Sequence, residues 1–282
     1  MADAIILGRG RRTTNYAKDW EYTTNDTTTL VTKYIGTRRY VTVPNKIEGK
    51  PIVLQNSPTG TSGVFTNNRN ILSVDFSNGV SVANERMGNM FYNCRSIQRV
   101  VNIPNSVTDM AYTFYSCSNL TQAPEIPNSV NSMFGTFSYC NNLTQAPNIP
   151  NSVNSMYSTF SYCTNLTQAP NIPNRVTNMA NTFFSCANLT LPPNIPNSVT
   201  DMAYTFRYCT NLTGSIIIRS ENITNFRNCF YNTNASKIKK VYIPYKYANG
   251  VNTKTYNAAF NSSYGINGKN GVTVYDINTY TG

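Results

Sequence analysis

From Met87 onward the apolar residues of this chain fall on a beat of 23. Met stands at 87, 110, 133, 156, 179 and 202, and Phe four residues after each, at 91, 114, 137, 160, 183 and 206. Cys follows at 94, 117, 140, 163, 186 and 209, and Pro at 104, 127, 150, 173 and 196. Between them lie mostly Asn, Ser, Thr and Tyr. Within one period Met110, Phe114 and Cys117 sit at i, i+4 and i+7, the spacing that predicts one face of a short helix or 3₁₀ segment. "NLTQAPEIPNSV" comes next, with Leu120, Ala123 and Ile126 every third residue. Its two prolines make a poor central strand and predict an extended, partly polyproline-like segment closed by a Pro-Asn-Ser turn.

One such unit cannot bury its apolar side alone, so the repeat implies a solenoid whose core is made by stacking. Degenerate coils extend the array: "VFTNNRNIL" (64–72) puts Asn68 in the Cys slot, and "SKIKKVYIP" (236–244) repeats the Ile-Pro ending. About eight coils result, centred on Ile71, Ile97, Leu120, Leu143, Leu166, Leu189, Leu212 and Ile238. At strand-like spacing of about 4.8 Å per coil they make a rod roughly 40 Å long. Each buried Phe, Met, Leu or Ile contributes roughly 1.5–3 kcal/mol. The domain reading is an N-terminal arm (1–19), a cap hairpin (20–63), the solenoid (64–244) and a C-terminal cap (245–282). In that last segment "KTYNAAF" (254–260) predicts a short helix and "GVTVYDI" (271–277) a strand.

"VTDMAYTFYSCSNLTQAPEIPNSV" resembles the BspA-type leucine-rich repeat, and "YIGTRRYVTVPNKIEGKPIV" (34–53) is similar to that family's opening hairpin. The resemblance covers about residues 20–245. It implies an α/β repeat solenoid with short helices or 3₁₀ turns and short strands, and a role in binding and adhesion rather than chemistry. Several coils read Ala-Pro-x-Ile-Pro, one residue longer than the family's usual strand, which predicts an irregular sheet there. "IPYKYANGVNTKTYN" (243–257) also resembles tail-fibre or adhesin repeats of bacteriophages.

Composition and charge narrow the function classes. The 282 residues carry 23 Lys and Arg against 12 acids, a formal net charge of +11. The excess sits at the two ends, and no charge occurs between Glu125 and Arg175. Without a continuous basic stripe the chain does not read as a nucleic-acid binder. No stretch approaches the roughly 20 apolar residues of a membrane span. "MADAIILGRGRR" does not read as a signal peptide, since its basic cluster follows an apolar run that is too short. That favours delivery on a particle, and hence an extracellular place on a virion, with the bacterial cell surface as the alternative.

The candidate chemistry is sparse. Seven cysteines without a single His, and without Cys-x-x-Cys spacing, read as a ladder of buried thiols filling the place of a small hydrophobe, not as a metal site or disulfides. "NLT" at Asn119, Asn142, Asn165, Asn188 and Asn211 is a formal glycosylation sequon. Its constant place before the core Leu reads instead as an Asn bonding the backbone. A Ser or Cys nucleophile lacks its commonest base, and the acids are scattered, so no catalytic residue, cofactor or metal is expected.

The aromatics carry more. Positions two, five and six after each Met hold Tyr112, Tyr115, Tyr139, Tyr162, Phe184, Tyr204, Arg207 and Tyr208, where other coils have Ser, Gly or Asn. A core does not need that variation. Grouped aromatics outside a core mark a contact surface for a glycan or protein receptor, or they pack laterally on adjacent coils or on copies of the chain in a homo-oligomer. Gln122, Gln145 and Gln168 form a second, neutral row suited to sugar hydroxyls or to water.

The segment Met1–Asn15 stands outside the period and carries Arg9, Arg11 and Arg12, which reads as an arm joining the chain to a larger assembly. Deleting it is expected to leave the melting temperature unchanged and to abolish incorporation into that assembly. Loss of folding on deletion would make the segment part of the cap.

Overall fold

In the computed structural model, residues 16–56, 62–233, 238–243 and 273–276 are described; Arg9, Arg11 and Arg12 and the helix expected over 254–260 lie outside them. After a 3₁₀ turn (Tyr16–Asp19), strands β1 (Trp20–Thr24) and β2 (Thr29–Tyr34) form an antiparallel hairpin. A second hairpin pairs β4 (Lys46–Ile47) with β5 (Lys50–Leu54). Between these two strands Glu48 and Gly49 take left-handed backbone, with φ of 52° and 79°. Primed two-residue turns require that conformation because it matches strand twist. β2 pairs β5 in parallel, and β5 pairs β7 (Ser81–Val82), which joins the cap sheet to the coils.

Beyond the cap the chain winds as a stack of coils. A parallel sheet of β3 (Tyr40–Thr42), β6 (Ser73–Asp75) and β8 (Arg99–Val101) opens one flank. Another, of β9 (Gly214–Ile217), β10 (Ile238–Ile243) and β11 (Thr273–Asp276), lies at the far end. Between them the strand flank falls to single bridges, Gln122 to Gln145, Gln145 to Gln168 and Gln168 to Leu191. These are the coils with two or three prolines each, which lack the N–H donors a ladder needs. The irregular sheet expected from Ala-Pro-x-Ile-Pro is what forms.

Of the short helix or 3₁₀ segment expected from Met to Cys, the structure holds the second, as separate tight turns. The N–H groups of this stretch alternate in destination. Those of Thr113, Tyr115 and Cys117 close tight turns onto the carbonyls of Met110, Tyr112 and Phe114, three residues back. Those of Met110, Tyr112, Phe114 and Ser116 reach the next coil, at Ser132, Phe134, Thr136 and Ser138. A helix would send every bond along its own axis; here half run across the stack. The turns are of 3₁₀ closure, but the second and sixth residues after each Met are left-handed, so no helix propagates.

The repeated slots build continuous internal ranks. Phe65, Phe91, Phe114, Phe137, Phe160, Phe183, Phe206 and Phe230 stack ring on ring at 5.1–5.8 Å and nearly parallel. Trp20 and Tyr34 close the cap end of this spine, packing on Phe65 at 5.8 and 5.7 Å. Buried threonines directly before Phe114, Phe137, Phe160, Phe183 and Phe206 donate across coils, as Thr136 Oγ1 does to the Met110 carbonyl at 2.9 Å. The cysteines are free and buried. Each Sγ from Cys94 to Cys209 donates to a Phe carbonyl of the preceding coil, Cys140 to Phe114 at 3.1 Å. Cys229 is not the next rung: it stands three residues after Phe226, in the threonine slot, where its carbonyl accepts from Phe206 N–H at 2.9 Å.

Burial pushes the thiols up, Cys94 to about 12 and Cys117, Cys140 and Cys186 well above their ordinary value. Native protein is therefore expected to resist thiol reagents, and all seven thiols to react after denaturation without reductant; fewer than seven would mean disulfides. Because the folded pKa is raised, the thiol contribution to stability is intact below the unfolded pKa near 9.0 and is lost as pH climbs past it. The slope is about 1.4 kcal/mol per pH unit for each thiol. A melting temperature that holds to about pH 8.5 and then falls steeply is the expected titration; a flat profile to pH 11 would contradict it.

Candidate functional site

The left-handed positions set the chemistry of the aromatic flank. Two residues after each Met they are Asn89, Tyr112, Gly135, Ser158, Asn181 and Tyr204, with φ from 53° to 58°. Six residues after it they are Asn93, Ser116, Tyr139, Tyr162, Ser185 and Tyr208, with φ from 58° to 62°. Asn, Gly and Ser are what such backbone favours, and a bulky side chain there is uncommon and costs energy. Five tyrosines nevertheless hold these positions. Gly135 is required twice over: beyond its φ of 58°, a Cβ there would lie 2.7 Å from the Tyr112 ring.

The rings form two rows running from coil to coil. In one, Tyr112 meets Phe134 edge-on at 4.9 Å, and Phe134 stacks on Tyr157 at 4.6 Å. In the other, Tyr92 stacks on Tyr115 at 4.8 Å and Tyr139 on Tyr162 at 4.3 Å, with Tyr115 and Tyr139 tilted at 5.2 Å. The rows touch where Tyr112 meets Tyr115 at 5.8 Å. In the next two coils the aromatics move apart, to one and six residues after Met, and Gly135, Ser138, Ser158 and Ser161 fall between them. The result is a groove of about 650 Å³ lined by Asn89, Tyr92, Tyr112, Tyr115, Ser138, Tyr139, Tyr157, Ser158, Ser161 and Tyr162. Every lining residue is uncharged and carries a hydroxyl or an amide. Burial raises the Tyr112, Tyr115 and Tyr162 phenols, with neighbouring phenols adding to the effect, so they stay protonated.

Tyr112, Tyr115, Tyr139 and Tyr162 are thus brought together, half-buried and stacked on adjacent coils rather than standing free in solvent. Tyr204, Arg207 and Tyr208 go elsewhere. The Arg207 guanidinium lies 5.7 Å from the Phe184 ring centre, 5.4 Å from Tyr204, 4.9 Å from Tyr208 and 4.4 Å from Tyr231, and donates to the Tyr208 hydroxyl at 3.2 Å. That cation is held in a cage of rings, a packing knot outside the groove. Phe134 and Tyr157, at the slot directly after Met, were not singled out by the solvent-facing slots, and Tyr157 lines the groove. "MFGTFSY" and "MYSTFSY" against "MAYTFYS" was the available signal.

The sequon asparagines bond one another, not the backbone: Asn142 Nδ2 donates to Asn119 Oδ1 at 3.2 Å, and Asn165, Asn188 and Asn211 continue the ladder at 3.3–3.4 Å. Gln122, Gln145 and Gln168 are exposed and lie on the bridged strand flank. Among the described residues no group of His, Cys, Asp or Glu could hold a metal ion, and no helix is long and apolar enough to cross a membrane.

Solved structures to which the chain is similar include a leucine-rich repeat protein of T. pallidum, 17% identical over 77% of this chain and 88% of that one, with a TM-score of 0.45. A leucine-rich cell surface protein of Faecalibacterium prausnitzii is 22% identical over 79% and 76%, with a TM-score of 0.48. A leucine-rich repeat protein of Bacteroides ovatus is 19% identical over 79% and 69%, with a TM-score of 0.49. No curated protein matches the chain in sequence. The model of the BspA type leucine-rich repeat region matches in six copies over residues 57–167 and 133–267, and the chain belongs to that family.

Proposed function

We propose that this protein is a non-enzymatic binding and adhesion protein that works outside the cell and attaches to a cell-surface glycan or protein through its aromatic flank. One observation carries the reading: tyrosines occupy left-handed positions that the same fold fills elsewhere with Asn, Gly or Ser. Strained backbone persists where surrounding structure enforces it, and it clusters at functional sites. The family's association with binding and adhesion points the same way. The likeness of residues 243–257 to phage tail-fibre and adhesin repeats favours a virion as the carrier, with the basic arm as its attachment to the particle. A second reading, a structural component whose solenoid packs on neighbouring subunits, is favoured by the half-buried, mutually stacked rings.

Replacing Tyr139 and Tyr162 together with Ser decides between contact and packing. The lost stack is worth about 0.5–1.5 kcal/mol. Relief of bulky side chains from left-handed backbone is of the same order and opposite sign. A melting shift of a few degrees is expected, with cell binding reduced at least tenfold. Tyr208→Ser, in the Arg207 cage, is expected to leave binding intact. Binding by the unmodified chain is expected to change little between 50 mM and 500 mM salt, since the groove lining is uncharged. Unchanged cell binding in the double variant, with a large loss of stability, would assign these tyrosines to packing.

A further inference from the structure

We infer that the groove is a saccharide site, taking a neutral, hydroxyl-rich oligosaccharide of a few rings. This rests on the binding role argued above and narrows it to one ligand class and to the coils between Met87 and Cys163. The lining decides the chemistry. Six phenols, three serine hydroxyls and one amide converge on it, and each such group can donate as well as accept. A ligand that matches them must do both at several points, as sugar hydroxyls do. With no charge in the lining and none in the sequence between Glu125 and Arg175, an acidic or basic ligand would find no counter-ion. Further along the same aromatic flank Arg207 is caged by four rings.

Geometry argues against the other occupants. A peptide adding as a strand needs an open backbone edge. On this flank most N–H groups are already spent on the next coil or on their own turn, as at Tyr112 through Cys117. A proline-rich peptide docks its rings against aromatic faces. Here the faces of Tyr139 and Tyr162 lie on each other at 4.3 Å and 10°, and those of Phe134 and Tyr157 at 4.6 Å and 12°. These two pairs therefore offer ring edges rather than faces, and the lining is rich in hydroxyl-bearing residues, which suits hydrogen bonding to a polyol. About 650 Å³ lies inside the range of pockets that bury small ligands and is too confined for a standard protein–protein patch.

The chain itself supplies a fold-neutral way to fill the groove. "MAYTF" occurs at 110–114 and again at 202–206, with Tyr two residues after Met and Ala before it. The paired substitution Tyr157→Ala with Ser158→Tyr writes that sequence into the coil that lines the groove, at a left-handed position that already accepts Tyr112 and Tyr204. The test probes the full-length protein and this variant against arrayed neutral and acidic oligosaccharides of one to six rings, and in parallel against cells. Expected are binding confined to neutral glycans and rising with length to about three or four rings, and a loss of at least tenfold in the variant, which stays folded with a melting temperature lowered by no more than several degrees because the Phe134–Tyr157 stack is lost. Binding to acidic glycans in preference, or retention by the correctly folded variant, would overturn the saccharide site. If no neutral glycan binds while cell binding still falls in the variant, the saccharide inference is wrong and the adhesion reading stands. If cell binding survives both this variant and the Tyr139/Tyr162 double variant, both are wrong. Should the paired variant fail to fold, Ser158→Asn with Tyr157→Ala, which copies "MANTF" at 179–183, removes the ring without filling the slot and must still lower glycan binding.

Discussion

The alternation of backbone donors along the Met-to-Cys flank is the constraint on which everything else in this molecule depends. Because every second N–H reaches the next coil, the coils can stack only in exact register, and the intervening N–H groups must find partners close by. They do so in tight turns, and an alternation of that kind works only if the backbone reverses hand at fixed points. Hence the left-handed residues two and six after each Met. The register also places Phe on Phe and Thr under Met, so the internal ranks follow from the backbone pattern rather than create it. A helix in the same place would satisfy its donors internally and leave the coils joined by side-chain contact alone. Here the coils are tied by both, and buried donors without partners would be costly.

That constraint explains what could be read from the sequence. The period, the core slots and the proline-disrupted strand flank were legible because burial and missing N–H groups leave direct marks on residue type. The choice between a short helix and 3₁₀ turns was not, and for a physical reason: Met110, Phe114 and Cys117 at i, i+4 and i+7 share one side in a helix and also in a run of tight turns. Spacing reports which side chains face inward, not where the amides point. The better signal was the company they keep. Asn89, Asn93, Gly135 and Asn181 are poor helix residues and good left-handed ones. Cys229 shows the limit of matching residue type alone; its slot is the threonine's, and only counting from Phe226 reveals it. The sequon Asn was read as structural, which its fixed slot supports, but an amide ladder along the stack requires knowing that identical positions sit one coil apart.

The site was half legible. Slots two, five and six after Met led to Tyr112, Tyr115, Tyr139 and Tyr162, which do converge. The same rule swept in Tyr204, Arg207 and Tyr208, because nothing in the spacing distinguishes an aromatic that borders open space from one folded around a cation. Arg207 lies where Tyr92 and Tyr115 stand in earlier coils, and it pulls four rings onto itself. What the slot rule omitted was the residue directly after Met, which faces the flank only when its neighbour is small.

A repeat array makes such variation cheap and therefore informative. Each coil touches only its neighbours, so a change on the outer flank of one coil is felt by two others and not by the whole. The inner slots are held constant by the Phe spine and the cross-coil bonds. The outer slots are free to differ, and they differ in one place above all: coils beginning at Met133 and Met156 exchange an aromatic at position two or five for aromatics at one and six. Compared with the coil beginning at Met110, the exchange keeps two large rings and shifts where they stand. Because the rings of successive coils stack, shifting them in two adjacent coils moves a whole length of both rows, and the space between opens as a groove instead of an isolated pit. The regularity of the backbone thus turns a change of one residue in position into a binding-sized cavity, while the Phe spine and the thiol-to-carbonyl bonds continue beneath it.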